Sequence, residues 1–346
     1  MNRLTLAISL VAFATLAGAA VSLAQTTESP PPATVVAEEP KPAPKKRFKL
    51  LKKPPTPAKQ LFGAAKTPAP MAAQAIGFYA KGCLAGGMEM PVDGPAWQAM
   101  RLSRNRNWAH PEMVALLKKL ATEAQKHDGW PGLLVGDLAQ PRGGPMLTGH
   151  ASHQVGLDAD VWFTPMPDRR LTEKEREDLS ATSMLSDDPT AVNPKLWTEA
   201  HLRLLKRAAS YAQVERVLVH PAIKKAVCDA SKDEKNRAWL AKIRPIWGHY
   251  YHFHIRMACP KGSSNCESQP SAGPEDGCGP ELKRWLALVK NPPKPGPIRE
   301  RTPITLAQLP TDCSTVLAGG PPQAAVAKKA DKKGKPAVAK KATLAK

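Results

Sequence analysis

The sequence predicts an α+β domain with a small, largely antiparallel sheet and flanking helices. Two segments, 155–163 and 250–257, alternate apolar and polar residues with period two, as half-buried strands do. Segments with helical spacing lie before and between them, and short apolar runs mark further strands. This interleaving runs through residues 76–318 without an internal repeat.

Taken in order, Pro111 suits the first position of a helix, where its missing N–H is no loss. Met113, Leu116, Leu117 and Leu120 follow it at i, i+3, i+4, i+7 spacing, so that helix is buried on one side. The run GLLVGD, 132–137, reads as a short buried strand. In 155–163, Val155, Leu157, Ala159, Val161 and Phe163 share one face, and Gly156, Asp158, Asp160 and Trp162 share the other. Asn193-Pro194 predicts the start of a second helix, through Trp197, Leu204 and Leu205 to about Ala212. Residues 215–219 form another short strand. In 250–257, His252, His254 and Arg256 share one face, and Tyr251, Phe253, Ile255 and Met257 the other.

The two ends differ in composition from this middle. Arg3, an apolar run from Leu4 to Val21 and the small-residue site Ser22-Leu23-Ala24 read as a signal peptide over residues 1–24. Residues 25–75, rich in Pro, Ala, Lys and Thr, predict an extended, disordered linker. Residues 319–346, rich in Lys and Ala, predict a disordered tail with too little apolar surface to fold. Of the net charge of +20, residues 25–75 carry +6 and residues 325–346 carry +7. With most of the charge in the ends, a nucleic-acid surface on the folded part is disfavoured. The basic ends fit either a solvated spacer or adhesion to an anionic wall or membrane surface. No second long apolar run exists, which excludes a multi-span membrane protein.

Export accounts for the cysteines. Cys83, Cys228, Cys259, Cys266, Cys278 and Cys313 are even in number, which in an oxidising compartment predicts up to three disulfides. None lies in a C-x-x-C pair, so a zinc ribbon or a thioredoxin-type site is not expected.

Nine histidines are present, and five of them fall in two short segments, 149–160 and 248–256. His252 and His254 share a strand face, about 6–7 Å apart by the strand rise. His153 precedes the strand whose polar face carries Asp158 and Asp160. If the two strands are neighbours, two imidazoles and a carboxylate converge, which is the donor set of a catalytic zinc site with a fourth position left for water. Asp158 or Asp160 can equally pair with Arg256. The isolated His110, His127, His201 and His220 read as ordinary structural residues. Arg142, Arg256 or the backbone of Gly143-Gly144 are candidates to hold a substrate carboxylate, and the two glycines fit a plain turn as well.

The spacings His153-x6-Asp160 and His252-x-His254 resemble the LAS-type zinc metallopeptidases. The longer strings QPRGGPMLTGHASHQVGLDADVW and HYYHFHIRMACP, with KGC at Cys83, VHPAIKKAVC before Cys228 and EDGCGPEL around Cys278, are similar to the penicillin-insensitive murein endopeptidase family. The resemblance covers about residues 75–316. It implies a LAS/hedgehog-type D-Ala-D-Ala peptidase-like fold and zinc-dependent hydrolysis of D-alanyl–meso-diaminopimelyl crosslinks of peptidoglycan in the periplasm. By position it implies His153, Asp160 and His254 as zinc ligands and His252 as general base, with His249 as its competitor and His150 as a further site residue or ligand. It implies the disulfides Cys83–Cys313, Cys228–Cys278 and Cys259–Cys266. The loop that carries an Asp and a His at a second metal in the family here reads MLSDDPTAV, with Asp187 and Asp188 and no histidine. Rival readings are a D,D-carboxypeptidase or dipeptidase of the same fold and a non-catalytic, zinc-stabilised wall-binding module.

Overall fold

A computed structural model describes residues 55–294, 296 and 302–319. The expected signal peptide, the linker up to residue 54 and the tail beyond residue 319 lie outside the described residues. In chain order the elements are α1 (Ala58–Ala64), β1 (Gln74–Phe78), β2 (Lys81–Ala85), β3 (Met88–Glu89), β4 (Asp93–Gly94), β5 (Trp97–Ala99), β6 (Trp108–Ala109), α2 (Pro111–His127), β7 (Leu133–Val135) and β8 (Asp158–Trp162). They continue with α3 (Glu173–Asp178), α4 (Glu199–Ser210), β9 (Val214–Val219), α5 (Pro221–Ala230), β10 (Ile243–Pro245), β11 (His252–Met257), α6 (Pro280–Lys290) and α7 (Asp312–Ala318).

Seven strands make the main sheet, in the order β10-β9-β11-β8-β7-β5-β4. Its centre is antiparallel: β11 pairs with β9 on one side and with β8 on the other. The outer pairs β10–β9 and β5–β7 are parallel. The sheet is therefore mixed, with the antiparallel part at the site. One face is apolar: Ala159 and Val161 of β8 and Phe253 and Ile255 of β11 are fully buried against Met113, Leu116, Leu117 and Leu120 of α2 and Leu204, Leu205 and Ala208 of α4. Because side chains alternate along a strand, this burial turns Asp158, Asp160, His252 and His254 to the opposite face.

Histidines cap the starts of α2 and α5. His110 and His220 each precede a proline at the first helical position and accept a hydrogen bond from the backbone N–H two residues on, at 3.3 and 3.2 Å. The second expected helix begins later than Asn193-Pro194. Asn193 Oδ1 caps a separate tight turn, accepting from Lys195 N, and α4 starts at Glu199 with His201 Nδ1 bonded to Thr198 N. The break lets Trp197 stack on His201.

The linker boundary at residue 75 needs correction. Residues 58–64 are helical, with Ala58 and Phe62 fully buried in a second core with Ile76, Cys83, Leu309, Cys313 and Val316. Local composition hid this because half of the packing around α1 comes from residues 304–316, as in the bond from Ala58 N to Ile304 O. The loop at Gly144 closes onto the same helix. Its φ is +74°, and a Cβ there would sit 2.2 Å from the Phe62 ring.

Disulfides Cys83–Cys313, Cys228–Cys278 and Cys259–Cys266 join β2 to α7, α5 to the segment before α6, and the two ends of the loop after β11. No helix among the described residues is long and apolar enough to cross a membrane.

Candidate metal centre

The β8–β11 ladder builds the site. Its register sets His254 opposite Asp160 and Arg256 opposite Asp158. His153 arrives from the loop before β8, in a left-handed backbone conformation at φ +64°. The strain of that conformation is offset by a buried bond from His153 N to Asp158 Oδ2, at 2.9 Å. The two strands are neighbours, and the two histidines and the carboxylate do converge.

Three donor atoms face one another. His153 Nε2 is 3.2 Å from His254 Nδ1 and 3.4 Å from Asp160 Oδ1, and His254 Nδ1 is 3.1 Å from Asp160 Oδ1. A tetrahedral site with bonds of about 2.1 Å has edges of about 3.4 Å, so the triangle is close to one face of such a site. The other ring nitrogens are already engaged. His153 Nδ1 lies 3.0 Å from the Leu138 carbonyl, and His254 Nε2 lies 2.8 Å from Asp158 Oδ1. In a neutral imidazole each of these contacts takes the ring N–H, and the facing nitrogen then keeps its lone pair for a metal. His150, His153 and Asp160 also offer ligand atoms within 4.8 Å of one another, and this group can hold a metal ion. His150 Nδ1 is 3.5 Å from Asp160 Oδ2.

The electrostatics favour a cation here. Asp158 and Asp160 are almost wholly buried. Burial opposes their charge, but His254 and Arg256 hold Asp158, and His153 and His252 hold Asp160, below the ordinary carboxylate range. Burial would lower the His254 pKa, yet Asp158 and Asp160 outweigh it and raise it to about 9. Burial lowers His153, and it pushes His252 down to about 4, so His252 is neutral at neutral pH.

His252 Nε2 lies 3.6 Å from Asp160 Oδ1, and its Nδ1 is buried without a partner among the described residues. His249 has the opposite strand parity, but the chain bends: Gly248 and His249 have φ of +69° and +55°. Its ring is brought to 4.7 Å from His252 and 5.9 Å from His254. His249 Nδ1 is bonded to the Trp247 carbonyl at 2.9 Å, which leaves Nε2 as the acceptor.

Two of the expected carboxylate holders are occupied elsewhere. Arg256 donates to Asp158 and Gln269 and lies over the Tyr79 ring. Arg142 donates to the carbonyls of Thr67 and Leu317. At Gly143 a Cβ would lie 2.0 Å from the Gln154 carbonyl, so Gly143-Gly144 is a packed turn that links the loop to β2 and α1. Asp188 binds its own neighbour Thr190 through backbone and hydroxyl.

Asp137, Arg101 and Arg104, which line the cleft over the centre, were not foreseen. Asp137 is buried and accepts from Arg104, Arg106 and His150 through one oxygen, at 3.0, 3.0 and 2.9 Å. Burial opposes its charge, but His150 and the two arginines keep its pKa at about 2. The only local signal was the basic cluster RLSRNR, 101–106, with Asp137 at the end of the GLLVGD strand.

The sequence of residues 75–318 matches the family described as penicillin-insensitive murein endopeptidase. A protein of that name from Haemophilus influenzae is 40% identical over 245 residues, 71% of this chain and 82% of its own length. Others from Klebsiella pneumoniae and Salmonella heidelberg are 38% and 40% identical over 249 and 253 residues, covering 86% and 88% of their lengths. A match of this extent, over the domain that contains every residue of the His/Asp centre, means that the chain belongs to the penicillin-insensitive murein endopeptidase family.

Proposed function

We propose that this protein is a zinc-dependent murein endopeptidase of the periplasm, hydrolysing D-alanyl–meso-diaminopimelyl crosslinks between peptidoglycan stems. The observation that carries the reading is the triangle of His153 Nε2, Asp160 Oδ1 and His254 Nδ1, with all three edges between 3.1 and 3.4 Å. These three residues would hold the zinc. When bound, the ion supplies Lewis acidity that brings the pKa of a water toward about 7 and polarises the amide carbonyl.

The chain's own side chains do the rest. Asp158 and the Leu138 carbonyl fix the orientation of the two ligand histidines. His252, neutral and with Nδ1 free of partners among the described residues, takes a proton from the attacking water and passes it to the leaving amine. His249, fixed by the Trp247 carbonyl, is the second candidate for that role. His150 ties Asp160 to Asp137 and stands at the edge of the centre. The signal sequence, the disulfides and the family support export to the periplasm, and the composition of the basic ends suits contact with an anionic wall or membrane surface.

Digestion of purified crosslinked muropeptide dimers, followed by mass spectrometry, tests the reading. The expected result is conversion of dimers to monomers, lost with a chelator and restored by zinc. Release of terminal D-alanine alone would make the protein a carboxypeptidase, and wall binding without turnover would make it a binding module.

A further inference from the structure

We propose that Arg101 and Arg104 form a carboxylate-binding subsite beside the His/Asp centre, and that it selects crosslinks with a free carboxylate next to the scissile amide. The proposal rests on the endopeptidase reading above and names what that activity recognises.

The cleft over the centre has a volume of about 300 Å³, and its lining includes Arg101, Arg104, Asp137, His150, Trp162 and Tyr251. Both arginines belong to one short turn, Leu102–Arg104 with Arg101 before it. The residues that flank the turn, Arg101 and Asn105, are left-handed at φ +58° and +52°, and neither is glycine. Such conformations are strained and persist only where the surroundings enforce them. Here they do. Ser103 binds Glu177 through both its N–H and its hydroxyl, at 2.9 and 2.8 Å. Asn105 donates to the Lys66 carbonyl and accepts from Trp108 Nε1, and Arg101 N donates to the Arg176 carbonyl. The turn is a fixed platform for two guanidinium groups.

The charge on this wall is not balanced. Among the described residues Asp137 is the one carboxylate bonded to Arg104, and the same Oδ2 also serves Arg106 and His150. The Arg104 side chain is 46% exposed, and among the described residues the rest of its donor fork has no partner. Arg101 has no carboxylate partner among the described residues. It donates to the Leu179 carbonyl and lies 5.7 Å from the Trp162 ring. An open guanidinium on a rigid turn matches a carboxylate.

The position fits as well. Arg104 and His150 share Asp137 Oδ2, and His150 Nδ1 is 3.5 Å from Asp160. The subsite therefore lies about one residue's reach from the centre. In a D-alanyl–meso-diaminopimelyl link, the carbon that bears the acylated nitrogen also bears a carboxylate. An amide held at the centre would bring that group toward Arg104.

The test uses the full-length protein and two synthetic crosslinked dimers that differ only at that carboxylate, free in one and amidated in the other. Wild type is expected to favour the free acid by about tenfold or more in kcat/KM. Arg104→Gln should lose most of that preference, mainly through KM on the free acid, with a much smaller loss on the amidated dimer. Arg101→Gln should lose part of it, and Arg104→Lys should recover part of what Arg104→Gln loses. Arg106→Gln, which disturbs Asp137 from outside the cleft, should keep the preference. Equal cleavage of the two dimers by wild type, or an equal loss on both in Arg104→Gln, overturns the subsite while leaving the endopeptidase reading intact. Cleavage of neither dimer by wild type overturns both.

Discussion

Asp160 and His254 are direct partners across the β8–β11 ladder, with Asp160 Oδ1 3.1 Å from His254 Nδ1 although 94 residues separate them in sequence. The pairing register thus fixes two of the three donors, and a slip of one residue would turn one of them toward the apolar layer. Asp158 sits two residues before Asp160 on the same face and ties the third donor to the ladder through its bond from His153 N.

Asp158→Asn tests this supporting role. The side chain accepts from His153 N, His254 Nε2 and Arg256 Nε, and an amide cannot serve all three. Zinc affinity, measured by competition with a chromophoric chelator, should fall about 10–100-fold while the protein remains folded. Unchanged affinity would remove Asp158 from the account.

Acid should destabilise the fold through two buried histidines that are not among the proposed ligands. Burial holds His201 and His220 at about 4, well below the ordinary value. Both are neutral when folded and take up a proton when unfolded, so the unfolded chain binds more protons between about pH 6.5 and pH 4. Their stabilisation is present above that window and is lost as pH falls through it, on the order of 3 kcal/mol each. Urea unfolding of metal-free protein at pH 7 and pH 4.5 should show the loss, and His201→Gln should flatten the pH slope.

The Cys83–Cys313 bond closes a loop with a separation of 230 residues, and Cys259–Cys266 one of only 7. By the chain-entropy account, removing the first pair costs about 5 kcal/mol and removing the second about 2 kcal/mol. Paired Cys→Ser variants compared by thermal unfolding should rank in that order, and the reverse order would contradict the account.

Much of this site was legible before the structure. The period-two alternation of 155–163 and 250–257 needs no long-range knowledge, and it already put Asp160, His252 and His254 on polar faces. What local pattern could not supply was partnership across the chain. Arg256 was a candidate for substrate and proved to be the partner of Asp158, because only the register shows that the two are opposite. Asp137, Arg101 and Arg104 lie on short loops with no periodicity, and the basic cluster at 101–106 was the only local mark. Helix α1 read as linker for the same reason: its apolar Phe62 packs on residues 309–316, which follow it by most of the chain.

Phe62→Ala provides a check on that last point. If α1 belongs to the domain, the substitution should cost about 3–5 kcal/mol, as for a fully buried aromatic residue. A change below about 1 kcal/mol in urea unfolding would return the segment to the linker.

Metal content together with muropeptide turnover in His254→Ala, His252→Ala and His249→Ala separates ligand from base most directly. His254→Ala should lose both zinc and activity. His252→Ala should keep its zinc and lose activity by about 10²–10⁴-fold, as for a general base. If His252→Ala loses zinc as fully as His254→Ala, or keeps full activity while His249→Ala is inactive, the assignment of roles is contradicted.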